Sequence, residues 1–288
     1  MMRGVRLAQG RLKTSRLGFG TSSLHHLKTG RARGSLLAHC YELGVRYFDS
    51  APLYGHELAE RDLGRFGRGC RSQIVIATKF GIEPHRCMRR SAALMYCGLA
   101  LRTLGSRVGL PVAADRPRDY SSARMLRSLE RSLTNLRTDH VDIFLAHEPA
   151  LSSPGFSEEL VRDLERIRAA GKARFLGLSG GDADCLDLAR RYPQIIDVLQ
   201  IDIGSKGEAI ERPKCSAYAP IVTFGHFRAA LQASAREERS MFVRRCLERA
   251  SIENPQGVIL FSARSTGRID EVDAVLGQVD ARAGSPGN

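Results

Sequence analysis

Three short apolar runs in this sequence each lead to a side chain that can exchange or hold a proton. One run ends at Asp49, with Tyr54 five residues later in a loop broken by a proline and a glycine. The other two runs end at Lys79 and His147. If these runs are neighbouring strands, a carboxylate, a phenol, an ammonium and an imidazole meet at one end of a sheet. Such a set of side chains can carry out general acid–base catalysis.

Each of these residues also has an ordinary structural interpretation when it is taken alone. Asp49 could form a turn, Tyr54 could be a half-buried loop aromatic, and His147 could be a hydrogen-bonded core residue. Lys79 could be a surface charge at the end of a strand. Their coincidence at successive strand ends favours a shared site over four unrelated roles.

The apolar pattern along the chain predicts eight alternating strand and helix units. Strands are predicted at 17–20, 45–48, 74–78, 141–146, 174–178, 196–203, 220–224 and 258–262, and helices at 34–43, 57–66, 121–136, 158–170, 183–191, 240–250 and 268–279. Eight such units without a change of order favour a closed α/β barrel, the (β/α)8 TIM barrel, over an open doubly wound sheet. Working side chains then lie at the carboxyl ends of the strands.

Two segments add to this barrel. Residues 5–7 and 11–14 flank Gly10 and predict a short N-terminal β-hairpin. Residues 82–120 are long for a loop between a strand and a helix, and they are rich in arginine. We interpret them as an inserted loop over the barrel mouth, with an insertion of no role as the alternative. No second domain is evident, so residues 1–288 are predicted to form a single domain.

Composition narrows the class of protein. The hydrophobic content of 43% and charged content of 26% are typical of a folded soluble protein. The formal charge of +13 comes from arginines dispersed along the chain without a nucleic-acid-binding motif, so we expect no specific nucleic-acid partner. The seven cysteines include no Cys-x-x-Cys pair, so no metal site is expected. We find no signal peptide or membrane span and expect a cytoplasmic protein.

Taken in order, several motifs resemble those of the aldo-keto reductase family. They are Phe48-Asp49-Ser50-Ala51-Pro52-Leu53-Tyr54-Gly55, Glu57 with Leu63-Gly64, Ala77-Thr78-Lys79, His147-Glu148-Pro149, Gly171-Lys172-Ala173-Arg174-Phe175-Leu176-Gly177-Leu178-Ser179, and Gln200. The resemblance extends over nearly the whole chain. It implies a (β/α)8 barrel, a nicotinamide cofactor, usually NADPH, and reversible reduction of carbonyls to alcohols.

The chemistry of such a reduction assigns roles to the four residues. A hydride that adds to a carbonyl carbon leaves charge on the oxygen, which must then be protonated. Tyr54 is the candidate general acid, although an isolated tyrosine has a pKa of about 10. A nearby Lys79 ammonium would lower that pKa, and Asp49 would keep the ammonium charged and in place. His147 would bind the carbonyl oxygen and orient the substrate.

The resemblance also implies contacts to the nicotinamide. Ser179 and Gln200 would bind its carboxamide, and Phe224 would stack on its ring. The family usually has asparagine after that serine, where this chain has Gly180. It also has an aromatic residue after the glutamine, and Ile203 replaces it here. Gly180 removes one of the family's usual contacts to the carboxamide, and Ile203 predicts a cofactor pocket that is less tightly closed.

A segment after the eighth strand resembles the family's phosphate- and adenine-binding segment. Arg264, Ser265 and Arg268 could hold a 2′-phosphate, because guanidinium groups suit phosphate oxygens. Glu271 could accept a hydrogen bond from the adenine amino group. No carboxylate for a free ribose 2′-hydroxyl is apparent, so NADPH is preferred over NADH. The alternative for these arginines is ordinary surface charge.

The expected substrate is a small-molecule aldehyde or ketone, and the sequence leaves its identity and the oligomeric state open. An alternative of another class also stays open. The chain could be a nucleotide-binding regulatory or redox-sensing barrel with little turnover.

Overall fold

A computed structural model describes residues 2–84, 93, 95–97, 118–203, 220–227 and 236–284. Most of the predicted 82–120 loop lies outside the described residues, as does the segment from 204 to 219. Within the described ranges no helix is long and apolar enough to cross a bilayer.

The described strands form a hairpin and a closed barrel. The hairpin pairs β1 (Gly4–Leu7) with β2 (Leu12–Ser15) in antiparallel register. The barrel consists of β3 (Leu17–Gly20), β4 (Tyr47–Asp49), β5 (Val75–Phe80), β6 (Val141–His147), β7 (Ala173–Gly180), β8 (Val198–Asp202), β9 (Val222–Phe224) and β10 (Val258–Phe261). All neighbours are parallel, and β10 pairs with β3 to close the ring. The predicted (β/α)8 barrel and its hairpin are therefore confirmed.

Helices follow the strands around the outside of the barrel. In the described part of the chain they are α1 (Gly30–Glu42), α2 (Leu58–Gly67), α3 (Ser122–Leu136), α4 (Glu158–Ala169), α5 (Asp182–Arg191), α6 (Arg236–Glu253) and α7 (Thr266–Gly284). Helix α1 begins four residues before its predicted start at Gly34. The reason is the N-cap Thr29, whose side chain accepts a hydrogen bond from the Ala32 amide at 3.2 Å.

The barrel interior is closed from below by the hairpin. Its apolar residues Val5, Leu7 and Leu12 pack in one buried cluster with inward-facing side chains of the strands. Several of those side chains are the first residues of their strands, among them Val75 and Val198. The hairpin therefore covers the amino ends of the strands, and the carboxyl ends form the open mouth. Predicted site residues at strand ends consequently share that mouth.

Candidate active site

Three neighbouring strands deliver the predicted acid–base residues to the mouth. Asp49 is the last residue of β4, Lys79 lies one residue before the end of β5, and His147 is the last residue of β6. Strand β5 pairs with both of the others, so the three side chains are neighbours around the ring. Tyr54 lies in the loop after β4. The structure thus brings all four residues together.

The Lys79 ammonium is the centre of this group. Its Nζ donates to Asp49 Oδ1 at 2.5 Å, to the Ser50 carbonyl oxygen at 3.0 Å and to the Tyr54 hydroxyl oxygen at 3.3 Å. An ammonium has three N–H donors, and these contacts account for all of them. Because the Tyr54 oxygen accepts from Lys79, the proton of Tyr54 itself is directed to another acceptor.

Burial and charge act in opposite directions on Lys79. Its side chain is 0% exposed, and this burial lowers the pKa of the amine below its ordinary value. The Asp49 carboxylate, itself nearly buried, opposes that decrease. Asp49 therefore stabilises the positive charge of the buried Lys79 ammonium, which contacts the Tyr54 oxygen.

The imidazole of His147 is a second close neighbour of the Tyr54 ring. The rings of Tyr54 and His147 meet edge to face, with centroids 5.9 Å apart. Burial holds the pKa of His147 well below its ordinary value, and the positive charges of Lys79 and Arg118 lower it further. His147 is therefore a neutral imidazole at neutral pH. A neutral imidazole can donate or accept a hydrogen bond, but it is a poor source of a proton.

A left-handed turn fixes the loop that carries Tyr54. His56 and Glu57 have φ values of 52° and 73°, a conformation that costs about 1–3 kcal/mol for each residue other than glycine. The Glu57 amide donates to the Pro52 carbonyl at 2.8 Å, which closes the loop. The buried Glu57 carboxylate lies 3.5 Å from Arg131 Nε. These contacts hold the turn, and the turn sets where the phenol of Tyr54 points.

A cleft of about 700 Å³ begins at these residues and extends across the barrel mouth to helix α7. Asp49 and Tyr54 line it at one end. The rest of its wall includes the predicted residues Gln200, Phe224, Arg264, Ser265, Arg268 and Glu271. The cleft therefore joins the acid–base group to nearly all the predicted cofactor residues.

Among the predicted cofactor residues, Ser179 does not line the cleft, and of the acid–base group Lys79 and His147 lie behind its wall. Ser179 is buried on β7, directly beside His147 on β6 and Gln200 on β8. Gln200 lines the cleft, and its buried Oε1 atom has no hydrogen-bond partner among the described residues. A buried amide oxygen of this kind is normally satisfied. It therefore fits a ligand that brings a hydrogen-bond donor, such as a carboxamide.

At the far end of the cleft, two residues that are predicted to bind the cofactor form an ion pair with each other. Arg268 Nη1 donates to Glu271 Oε2 at 2.5 Å, and Ser240 donates to the other carboxylate oxygen at 2.5 Å. Arg264 lies two residues before α7 and is exposed. The structure thus makes Arg268 and Glu271 one unit rather than two separate contacts.

Sequence reasoning missed a wall of the cleft built by the loop after β3. Ser22, Ser23 and His26 line the cleft there. The Ser23 hydroxyl donates to the Ala263 carbonyl at 3.2 Å, and this bond ties the first loop to the last one. The sequence contains one signal for this wall. Gly20 ends a predicted strand, so the residues that follow it are expected at the mouth.

Comparison with known proteins identifies a matching family and several relatives. The model of the aldo/keto reductase family matches residues 16–203. The chain is 28% identical to L-galactose dehydrogenase of Arabidopsis thaliana over 197 residues, which cover 65% of this chain and 52% of that protein. It is 26% identical to the NADP(+) aldo-keto reductase yakc of Schizosaccharomyces pombe over 204 residues, 69% of this chain and 52% of that protein. The chain thus spans about half the length of these curated relatives.

Solved structures share the fold. A putative aldo-keto reductase from Pseudomonas aeruginosa superimposes with a TM-score of 0.71 at 24% identity, covering 97% of this chain and 96% of that one. An aldo-keto reductase from Klebsiella pneumoniae in complex with NADPH gives a TM-score of 0.69 at 19% identity, covering 100% and 97%.

Proposed function

Because the chain belongs to the aldo/keto reductase family of oxidoreductases, we propose that it is an NADPH-dependent enzyme that reduces an aldehyde or ketone to the alcohol, with Tyr54 as the general acid. The observation that carries this proposal is the contact of the buried Lys79 ammonium with the Tyr54 oxygen at 3.3 Å, at the wall of the long cleft. NADPH supplies the hydride when it is bound.

The four residues divide the work of proton transfer. Tyr54 donates its proton to the carbonyl oxygen, and the Lys79 ammonium stabilises the phenolate that remains. Asp49 keeps Lys79 charged. The low pKa of His147 argues against the imidazole as the acid, so its role is to hydrogen-bond the carbonyl oxygen and orient the substrate. A positioned acid of this kind contributes about 10²–10⁴-fold.

Seven further residues would hold the cofactor. Gln200 and Ser179 take the carboxamide, and the Oε1 atom of Gln200 supports this assignment. Phe224 stacks on the nicotinamide ring. At the other end Arg264, Ser265 and Arg268 take the 2′-phosphate and Glu271 the adenine. The Arg268–Glu271 pair fits both assignments, since the carboxylate orients the guanidinium. This cationic end supports NADPH over NADH.

The substrate is proposed to be a small-molecule carbonyl compound, with no nucleic-acid or membrane partner. One relative, D-threo-aldose 1-dehydrogenase of Pseudomonas sp., is 25% identical over 236 residues, which cover 77% of this chain and 69% of that protein. Its name makes a sugar a reasonable first member of the substrate panel.

We further propose that the chain is one barrel domain with the 82–120 loop over its mouth. Tyr96, within that loop, supports this arrangement. Its hydroxyl oxygen lies 2.9 Å from the His25 carbonyl oxygen and 3.0 Å from the Leu27 carbonyl oxygen, and its one proton is shared between these two acceptors. Both belong to the segment after β3 that lines the cleft.

A two-stage experiment tests the proposed function. In the first stage, the protein is titrated with NADPH and, separately, with NADH while cofactor fluorescence is recorded. In the second stage, oxidation of NADPH is followed with a panel of carbonyl compounds that includes 4-nitrobenzaldehyde. We expect tighter NADPH binding, and we expect turnover that Tyr54→Phe reduces about 10²–10⁴-fold while NADPH binding is retained. Binding without turnover in either protein would favour the regulatory alternative, and turnover unaffected by Tyr54→Phe would refute the assigned acid.

A further inference from the structure

Residues 118–120 bring the chain back from the long loop between β5 and α3, and they touch the carboxyl ends of two strands. The Asp119 amide donates to the Gly81 carbonyl at 2.9 Å, and Arg118 forms an antiparallel bridge with Ile82. Gly81 follows the last residue of β5, the strand that carries Lys79. The returning chain is therefore fastened directly beside the acid–base group.

Tyr120 extends this connection to β6. Its side chain is fully buried, and its hydroxyl donates to the carbonyl oxygen of His147 at 2.6 Å. Burial raises the pKa of Tyr120 well above its ordinary value, so the phenol keeps its proton and remains a donor. Its backbone amide donates to the Pro154 carbonyl at 2.9 Å, which fixes the residue from the other side.

The ring of Tyr120 fits a space that only glycine leaves open. Gly81 has a φ of 106°, and a Cβ atom there would lie 2.2 Å from Cε1 of the Tyr120 ring. The rings of Phe80 and Phe156 contact Tyr120 at centroid distances of 6.2 Å and 5.8 Å. These contacts restrain the ring in the position from which its hydroxyl donates to the His147 carbonyl oxygen.

The residue after His147 is held in the same region. Glu148 has a φ of 52°, so the chain leaves β6 abruptly. Its amide donates to the Ser179 carbonyl at 2.6 Å, and its carboxylate accepts from Arg118 Nη2 at 2.8 Å. The backbone on both sides of the His147 carbonyl is thus restrained, and residues 118–120 supply two of the restraints.

We propose that Tyr120 is a positioning residue, which fixes the end of β6 against the end of β5 and thereby holds the His147 imidazole against Tyr54 and Lys79. The inference rests on the proposed function, because Tyr120 affects the reaction only through the role proposed for His147. It assigns a role in the reaction to a residue that touches neither substrate nor cofactor. The return of the 82–120 loop is then part of the active-site framework.

The test replaces Tyr120 with phenylalanine, which keeps the ring on Gly81 and removes the hydrogen bond to His147. A hydrogen bond of this kind contributes about 0.5–1.5 kcal/mol, or about 2- to 12-fold. We expect kcat with 4-nitrobenzaldehyde to decrease by about that factor, while the Kd of NADPH stays unchanged. The imidazole 15N and 1H resonances of His147, assigned by their loss in His147→Gln, should shift.

Tyr192→Phe is the matched control. Tyr192 is also a buried tyrosine, and the ring of Phe156 contacts both its ring and that of Tyr120. This variant should leave both kcat and the His147 resonances as in the wild type. Gly81→Ala provides a second route that changes no tyrosine. The new methyl group meets the Tyr120 ring and also strains the backbone at a φ of 106°, so the same resonances should shift.

Two results would overturn the positioning role. One is a Tyr120→Phe protein with wild-type kcat and unshifted His147 resonances. The other is a shift no larger than that of Tyr192→Phe in both Tyr120→Phe and Gly81→Ala. The resonances report on His147 whether or not the chain turns over a carbonyl. A wild type without turnover would therefore contradict the proposed reaction and leave the geometric claim to be decided by the spectra.

Discussion

Each end of the barrel contains one completely buried cationic side chain, and the two side chains have different kinds of hydrogen-bond acceptors. Lys79 lies at the mouth and Arg16 at the floor, just before β3, and both are 0% exposed. Burial lowers the pKa of both, that of Arg16 to about 10. Burial of a charge therefore does not by itself identify a functional residue.

The difference lies in the acceptors. Arg16 Nη1 donates to the carbonyl oxygens of Asn254, at 2.5 Å, and Gly257, in the turn that leads into β10. It thus fastens the last strand to the first. Lys79 instead donates to a carboxylate and a phenol, and the phenol lines an open cleft. In such barrels the amino end of the strands serves stability and the carboxyl end serves chemistry.

Lys79→Met should have the largest effect. Without the ammonium the Tyr54 phenolate loses its counter-charge, so we expect carbonyl-dependent oxidation of NADPH to decrease about 10²–10⁴-fold. The variant also leaves Asp49 buried without its partner, which costs about 3–5 kcal/mol of unfolding free energy. Steady-state kinetics and urea denaturation measure the two effects separately.

The double variant Asp49→Asn/Lys79→Met is the control for Lys79→Met. Removing both charges should restore much of the stability without restoring activity, because an uncharged pair carries no desolvation cost. If activity returned with stability, Lys79 would act only through folding, and the contrast between the two ends would fail.

Arg16→Met tests the floor. It leaves two buried carbonyl oxygens without their donor, and each unsatisfied group costs about 1–3 kcal/mol. We expect the free energy of unfolding to decrease by about 2–6 kcal/mol, with kcat and the Kd of NADPH unchanged in the folded fraction at 15 °C. If Arg16→Met were as stable as the wild type but had a lower kcat, Arg16 would contribute to the reaction and not to stability, which would contradict its structural role.

The smallest effect concerns a buried histidine near the mouth that touches no proposed reactant. Burial lowers the pKa of His226 to about 3, so the folded state stays unprotonated while the unfolded state binds a proton below pH 6.5. Its contribution to stability is therefore present above pH 6.5 and is lost as the pH falls toward 3, by about 1.4 kcal/mol per pH unit.

His226→Gln should remove that dependence. The free energy of unfolding of the wild type, measured in urea at pH 6.5 and 5.5, should decrease by about 1 kcal/mol more than that of the variant. Equal decreases would show that His226 is protonated in the folded protein. His147→Gln provides the comparison at the site itself, because the pKa of His147 is lowered by burial as well.

Much of this contrast could be predicted from the sequence. Strand ends are marked by apolar runs, so the sequence alone predicts that Asp49, Lys79 and His147 lie at the mouth. Tyr54 followed from its spacing. The pairing of Arg268 with Glu271 could also have been predicted, since residues three apart on a helix are neighbours.

The remaining contacts were not predictable, because they join distant parts of the chain. Ser23 meets Ala263, and Arg16 meets Gly257, only after the barrel has closed. Tyr120 lies 27 residues before the carbonyl to which it donates, and the sequence around it gives no sign of that distance. Local pattern predicts which end of a strand a residue occupies, but packing decides which acceptors its donors find.

The central claim is that Tyr54 and Lys79 complete a transfer of hydride from a cofactor to a carbonyl carbon. The most direct measurement incubates the wild type with 4-nitrobenzaldehyde and NADPH that carries deuterium at both C4 positions, and analyses the alcohol by mass spectrometry. One deuterium on the carbinol carbon is predicted, with at least about 100-fold less labelled product from Tyr54→Phe. Unlabelled alcohol, or equal labelling by both proteins, would contradict the account.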